Sequence, residues 1–184
     1  MKDLLLVAID AALKAGATIM RIYSDPTSDF GIERKSDQSP LTIADRAANA
    51  VICEKLETIE YPILREESRI ASFEERKSWE LFWVVDPLDG TKEFIKKNGE
   101  FTVNIALVRG NKPVLGVVYL PVKQILYFSD EEIGAYKLTD ITNLEISDTL
   151  DSLVNKSSKL PIARKANQDF TVVASRSHLS EETK

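Results

Sequence analysis

Near residue 79 the spacing of apolar residues changes from helical to strand-like, and this change constrains the fold more than any other feature. Before it, residues 3–24 carry Leu5, Ile9, Ala12, Leu13, Ile19 and Met20 at three- and four-residue spacing, which predicts an amphipathic helix with Gly16 on its packed face. The polar run Ser24-Asp25-Pro26-Thr27-Ser28-Asp29 ends it, and a loop follows through Lys35-Ser36-Asp37-Gln38-Ser39-Pro40. A second helix places Ala44, Ala47, Ala48, Val51, Ile52 and Leu56 on one face, with Thr42 as its N-cap and Asp45 three residues on. After the change, Leu81-Phe82-Trp83-Val84-Val85 reads as a buried strand. Further strands follow at 101–108, 114–120, 124–128 and 134–138, separated by Gly110–Pro113, Pro121 and Ser129-Asp130. Short connections favour an antiparallel meander. Residues 1–147 therefore read as an α+β domain in which N-terminal helices pack on an antiparallel sheet. Residues 148–169 are polar and broken, and read as a linker or excursion. Phe170–Ser175 looks like a fresh strand, so 170–184 reads as the start of a largely missing second α/β domain.

Composition excludes several function classes. The formal net charge is −5, against the basic character expected of a protein that lives on nucleic-acid backbones. A small phosphate ligand remains compatible, because one metal site can outweigh the global charge. The single cysteine, Cys53, rules out an intramolecular disulfide and reads as a small core residue. The single histidine, His178, excludes a His-rich zinc or iron centre built from this chain. Any bound metal should therefore be a hard cation on oxygen ligands. Asp10 and Lys14 interrupt the apolar stretch Leu4–Ile9 too early for a signal core or a membrane span, so a cytoplasmic protein is expected.

The strongest local signal is Asp86-Pro87-Leu88-Asp89-Gly90-Thr91, at the end of the first buried run. Two carboxylates three residues apart flank a proline of fixed φ, so both side chains and the Leu88 carbonyl can point to one place. Hard dications want such oxygens. Gly90 permits close backbone approach to a ligand, and Thr91 opens a plausible helix, Thr91–Lys97. The plainer reading of this string is a tight turn after a strand, but buried acids need a partner to offset their desolvation. Glu66-Glu67, after Tyr61–Leu64, reads on its own as a solvated acidic turn, and Asp45 as a capping-box acid. Lys92, Lys96 and Lys97 read as a solvated helix face whose charge would also attract an anion.

Together, Thr42-x-x-Asp45, Glu66-Glu67-Ser68 and Trp83-Val84-Val85-Asp86-Pro87-Leu88-Asp89-Gly90-Thr91 resemble the magnesium-dependent phosphomonoesterases of the inositol-monophosphatase superfamily. The continuous string Asp86–Val108, with Gly116–Val122 and Val173–His178, is similar to the CysQ-type 3'(2'),5'-bisphosphate nucleotidases of that superfamily, which convert adenosine 3',5'-bisphosphate to AMP. The resemblance implies two or more magnesium ions and a small phosphorylated nucleotide as substrate. Glu66, Asp86 and the Leu88 carbonyl would hold one ion, and Asp86 and Asp89 would contribute to a second. Thr91, with Asp45 or Glu66 as its partner, would orient and activate the attacking water. Glu66, Leu88, Asp89, Gly90 and Thr91 would meet the substrate. The resemblance also allows a homodimer and weak peripheral association with the inner membrane. Inositol-phosphate hydrolysis and a non-catalytic role stand as alternatives.

Two departures carry expectations of their own. Arg65 stands where related sequences often have Ser or Gly, so its side chain should point outward or pair with Glu67. The family's later Trp-Asp motif and its Ser-Ser-x-Lys region have no counterpart here, since the tryptophans are Trp79 and Trp83. A crippled second metal site, impaired hydrolysis and poor packing beyond about residue 165 are the expected consequences.

Overall fold

A computed structural model of the chain describes residues 1–35, 38–66, 71–139, 141 and 149–162. The first helix is α1, Lys2–Ser24. Leu5, Ala8, Ala12, Ala15 and Ile19 share its inner side and are wholly buried, as three- and four-residue spacing requires. The helix ends at Asp25, whose Oδ1 accepts from the Thr27 N–H at 2.8 Å and turns the chain. A short hairpin follows, β1 (Glu33–Arg34) with β2 (Pro40–Leu41). It leads directly into α2, Ile43–Leu56, whose N-terminus is closed by a reciprocal cap between Thr42 and Asp45.

The remaining elements build one seven-stranded sheet in the order β3-β4-β5-β6-β7-β8-β9. Its strands are β3 (Ile63–Arg65), β4 (Leu81–Asp89), β5 (Thr102–Arg109), β6 (Lys112–Leu120), β7 (Ile125–Asp130), β8 (Gly134–Thr139) and β9 (Ser158–Lys159). Short helices α3 (Phe73–Arg76), α4 (Thr91–Ile95) and α5 (Leu150–Asn155) interrupt the series. Along β5, Val103, Ile105 and Leu107 are buried and alternate with half-buried residues, the period-2 pattern of a strand covered mainly on one face. Leu115 and Val117 on β6, and Leu126 and Phe128 on β7, continue that inner face beneath α1. Truncating Phe128 to alanine would cost about 3–5 kcal/mol through lost burial and the cavity left behind. At Gly16 a Cβ would stand 2.2 Å from the Tyr119 ring, so α1 approaches β6 through the one residue without a side chain.

The fold is α+β, with one correction to the expected sheet. The sheet is mixed, because β3 pairs in parallel with β4, Arg65 opposite Val85. A three-residue strand after Pro62 carries no period of its own, and its direction is set by tertiary packing. Within the stretch read as a linker or excursion, the described residues 149–162 carry a short helix and a short strand, the latter ending at Lys159. Thr149 caps α5, Leu150 and Leu153 are buried on its inner side, and β9 pairs with β8. Two leucines in a six-residue helix are too few for a periodic signal. Helix α4 ends at Ile95, short of the expected Lys97. The Phe170–Ser175 strand and the second-domain residues 170–184 lie outside the described residues. No described helix is long and apolar enough to cross a membrane.

Candidate active site

Parallel pairing sends β3 and β4 to the same edge of the sheet, so the residues that follow them arrive side by side. The Glu66 N–H continues the ladder, donating to the Val85 carbonyl at 3.2 Å, and this sets Glu66 beside Asp86. Beyond Asp86 the register with β5 shifts. Asp86 opposes Asn104 and Asp89 opposes Thr102, so Pro87 and Leu88 face Val103 alone. This is a bulge, the position where a strand tolerates proline and re-aims its side chains. The expected turn is therefore a bulged extension of β4.

Three features fix the end of the bulge. The Leu88 N–H donates to Asp86 Oδ1 at 3.2 Å. Gly90 has φ 94°, and a Cβ there would lie 2.8 Å from the Glu100 carbonyl oxygen, so only glycine fits. From Gly90 the chain enters α4, whose Phe94 is buried in an aromatic cluster. Its ring centroid lies 4.7 Å from Phe30, 5.3 Å from Tyr23 and 5.4 Å from Phe101. The packing of Phe94 thus anchors the helix that carries Thr91.

Thr91 joins the bulge to α2. Its Oγ1 lies 3.0 Å from Asp45 Oδ1 and 3.2 Å from the Leu88 carbonyl. The other Asp45 oxygen accepts from the Thr42 N–H at 2.8 Å and from the Thr42 hydroxyl. Asp45 is therefore at once the capping acid of α2 and the acceptor for Thr91, although 46 residues separate the two. Burial raises its carboxyl above the ordinary range, while the hydrogen bonds from Thr42 and Thr91 oppose the rise.

Glu66, Asp86, Leu88, Asp89, Gly90 and Thr91 all line one pocket of about 370 Å³, and Asp45 stands behind Thr91. Burial pushes Asp86 up from 3.8 to about 8, reinforced by the charge and hydrogen bond of Glu66 and by the nearby Asp89. Glu66 and Asp86 are thus in contact. Asp89 Oδ2 instead accepts from Asn104 Nδ2 at 3.2 Å. The Lys35 ammonium lies 2.8 Å from Glu66 Oε1. With Glu66 drawn toward Lys35 and Asp89 toward Asn104, no three acids, histidines or cysteines among the described residues form a ready metal cage. Arg65 turns away and pairs with Glu57 at 2.7 Å. Glu67, its expected alternative partner, lies outside the described residues, as does His178.

The sequence reading passed over Lys35, Ser39, Glu93 and Asn104 as site neighbours. Ser39 and Pro40 bring the β1–β2 hairpin to the pocket rim, and Glu93 and Glu100 line it from α4 and the segment before β5. A signal for the hairpin lay in the turn-forming run Lys35–Pro40 just before the Thr42 cap.

The sequence profile described as the inositol monophosphatase family matches residues 1–181. The 3'(2'),5'-bisphosphate nucleotidase CysQ of Salmonella typhimurium is 53% identical over 122 residues, 65% of this chain and 49% of that protein. CysQ of Escherichia coli K12 is 51% identical over 122 residues, with the same coverage of 65% and 49%. The crystal structure of CysQ from Bacteroides thetaiotaomicron, described as a bacterial member of the inositol monophosphatase family, superposes with a TM-score of 0.88 at 52% identity. It matches 100% of this chain and 66% of its own length. The chain spans about half the length of the curated relatives it matches. It belongs to the inositol monophosphatase family.

Proposed function

We propose that this chain carries the metal- and phosphate-binding half of a magnesium-dependent phosphomonoesterase that hydrolyses adenosine 3',5'-bisphosphate to AMP and phosphate. The observation that carries the reading is the convergence of Glu66 and Asp86 at the parallel ends of β3 and β4, with the Thr91–Asp45 pair beside them. The high identity to CysQ nucleotidases supports the choice of substrate.

The residues fit magnesium. Asp86 and Glu66 are acids in contact, held with Asp89 and the Leu88 backbone around one pocket, and their mutual repulsion calls for a cation. All are hard oxygen donors. Glu66, Asp86 and the Leu88 carbonyl would hold one ion, and Asp86 and Asp89 would contribute to a second. Glu66 is half-exposed and would exchange Lys35 for the ion by a rotamer change. When bound, such ions acidify water and neutralise charge on the phosphoryl oxygens.

The chain's own groups supply positioning. The Thr91 hydroxyl has one proton, and Asp45 is its charged acceptor. Donation to Asp45 leaves the Thr91 lone pairs to accept a hydrogen bond from a water in the pocket. That water would be held for attack on phosphorus, the ester P–O bond breaking as the new one forms and a water proton ending on the departing 3'-oxygen, to give AMP and phosphate. Asp45 is locked by Thr42 and by the start of α2, so the acceptor does not drift. Residues 1–147 would form the metal- and phosphate-binding unit, with residues 170–184 opening a second domain.

The test is phosphate release from adenosine 3',5'-bisphosphate by the full protein, with magnesium and with chelator, beside inositol 1-phosphate. The reading expects magnesium-dependent release and a preference for the nucleotide. Absence of release from the nucleotide under saturating magnesium would overturn it.

A further inference from the structure

Asn104 stands directly across the ladder from Asp86, and Thr102 across from Asp89. The two β5 residues are two apart, so they share the face of the sheet on which the ends of the bulge lie. Asn104 reaches diagonally past its ladder partner, and its Nδ2 donates to Asp89 Oδ2 at 3.2 Å. Asp86 is held instead by the Leu88 N–H. At its other atom the Asn104 amide accepts from the Thr102 hydroxyl at 3.0 Å. An ionised carboxylate only accepts, so the amide must turn its NH2 to Asp89, and its carbonyl oxygen then faces the Thr102 donor. The three side chains form one directed chain, Thr102 to Asn104 to Asp89, laid across the bulge.

That chain answers a need of Asp89. Asp89 is exposed at the end of its strand, and the terminal torsion of an aspartate is broad, so its carboxylate would otherwise sample many directions. Magnesium demands near-octahedral ligand geometry and gives up water reluctantly, so it favours a ligand already aimed. A side-chain amide aims the carboxylate without adding charge, whereas an ammonium in the same place would compete with the ion. The bond takes one lone pair of Oδ2, and the rest of the carboxylate stays available to a cation. We infer that Asn104 is a positioning residue for the second magnesium site, holding Asp89 in place for the ion it shares with Asp86. The inference rests on the proposed function. Its effect is confined to Asp89, because Glu66 is set by the β3–β4 ladder and Asp86 by the Leu88 N–H.

The experiment follows manganese binding to the metal-stripped full protein by electron paramagnetic resonance, in wild type, Asn104→Ala, Asn104→Thr and Asp89→Ala. Manganese serves as a hard-oxygen-seeking proxy for magnesium. Asp89→Ala identifies the binding event that depends on Asp89. In Asn104→Ala that event alone is expected to weaken about tenfold or more, the usual loss when the partner of a metal ligand is removed. The other event should be unchanged. Asn104→Thr, a strand former too short to reach Asp89, should behave in the same way and decides the matter if Asn104→Ala does not fold. Equal weakening of both events, as a general loss of structure would give, overturns the inference, and so does an Asp89-dependent event of unchanged affinity. Both results leave the proposed function standing. A wild-type protein with one binding event only removes the second ion and the inference with it. A wild-type protein that binds no manganese removes the proposed function as well.

Discussion

Asp86→Asn removes one negative charge from a crowded acidic site while keeping a carbonyl oxygen for the Leu88 N–H, which Asp86 Oδ1 now accepts at 3.2 Å. Without a cation, the folded chain holds the Asp86 proton to about pH 8, whereas the unfolded chain loses it near 3.8. The folded state thus binds more protons between these values. Stability is greatest below 3.8, falls as pH rises through that window, and levels off above about 8. The gap is worth about 5–6 kcal/mol if water is kept out. Asp86 is only half-buried and its neighbours are wet, so about 2–3 kcal/mol is expected. For a chain of this size that is about 4–12 °C in Tm. Thermal unfolding in chelator at pH 8 should therefore find Asp86→Asn more stable than wild type, with the difference vanishing near pH 4. Added magnesium should raise the wild-type Tm and leave the variant nearly unmoved. If Asp86→Asn is no more stable at pH 8 in chelator, or if magnesium raises both proteins equally, the acids are not strained against one another and the metal assignment is wrong.

Other variants probe the parts around the acids. Thr91→Val should lower kcat about 10²–10³-fold with the fold retained, since it deletes the hydroxyl that positions water, and circular dichroism beside phosphate release checks both halves. Asp45→Ala should cost about 1–2 kcal/mol in denaturant unfolding through the lost α2 cap, and turnover should fall with it. Gly90→Ala should cost about 2–4 kcal/mol, because φ 94° is strained for alanine and its Cβ meets the Glu100 carbonyl at 2.8 Å. A Gly90→Ala protein as stable as wild type in urea would show that the bulge has room that the described geometry denies.

The parts of the fold visible in the sequence are those with a period. Helices α1 and α2 have long inner faces, and β5 to β8 alternate over six or more residues, so their burial is written in the residue order. Strand β3 is three residues beside Pro62, and nothing local says that it runs parallel to β4. That direction nevertheless decides the site, because it brings Glu66 to Asp86. The Asp86–Thr91 string is conspicuous because acids at the end of a buried strand need a reason. Asp45 is legible locally only as a cap. Its second role toward Thr91, which the family resemblance had suggested, is made by the packing of α2 against β4. Lys35 sits in a loop without periodicity, and only the folded chain places it on Glu66.

The most direct test of the central claim is an anomalous-scattering crystal structure of the protein with manganese, a hard-oxygen-seeking proxy for magnesium. The account predicts an anomalous peak bounded by the Glu66 and Asp86 carboxylates and the Leu88 carbonyl, with Lys35 released from Glu66. Manganese bound elsewhere, or Lys35 still seated on Glu66 with no peak beside Asp86 at saturating metal, would contradict it.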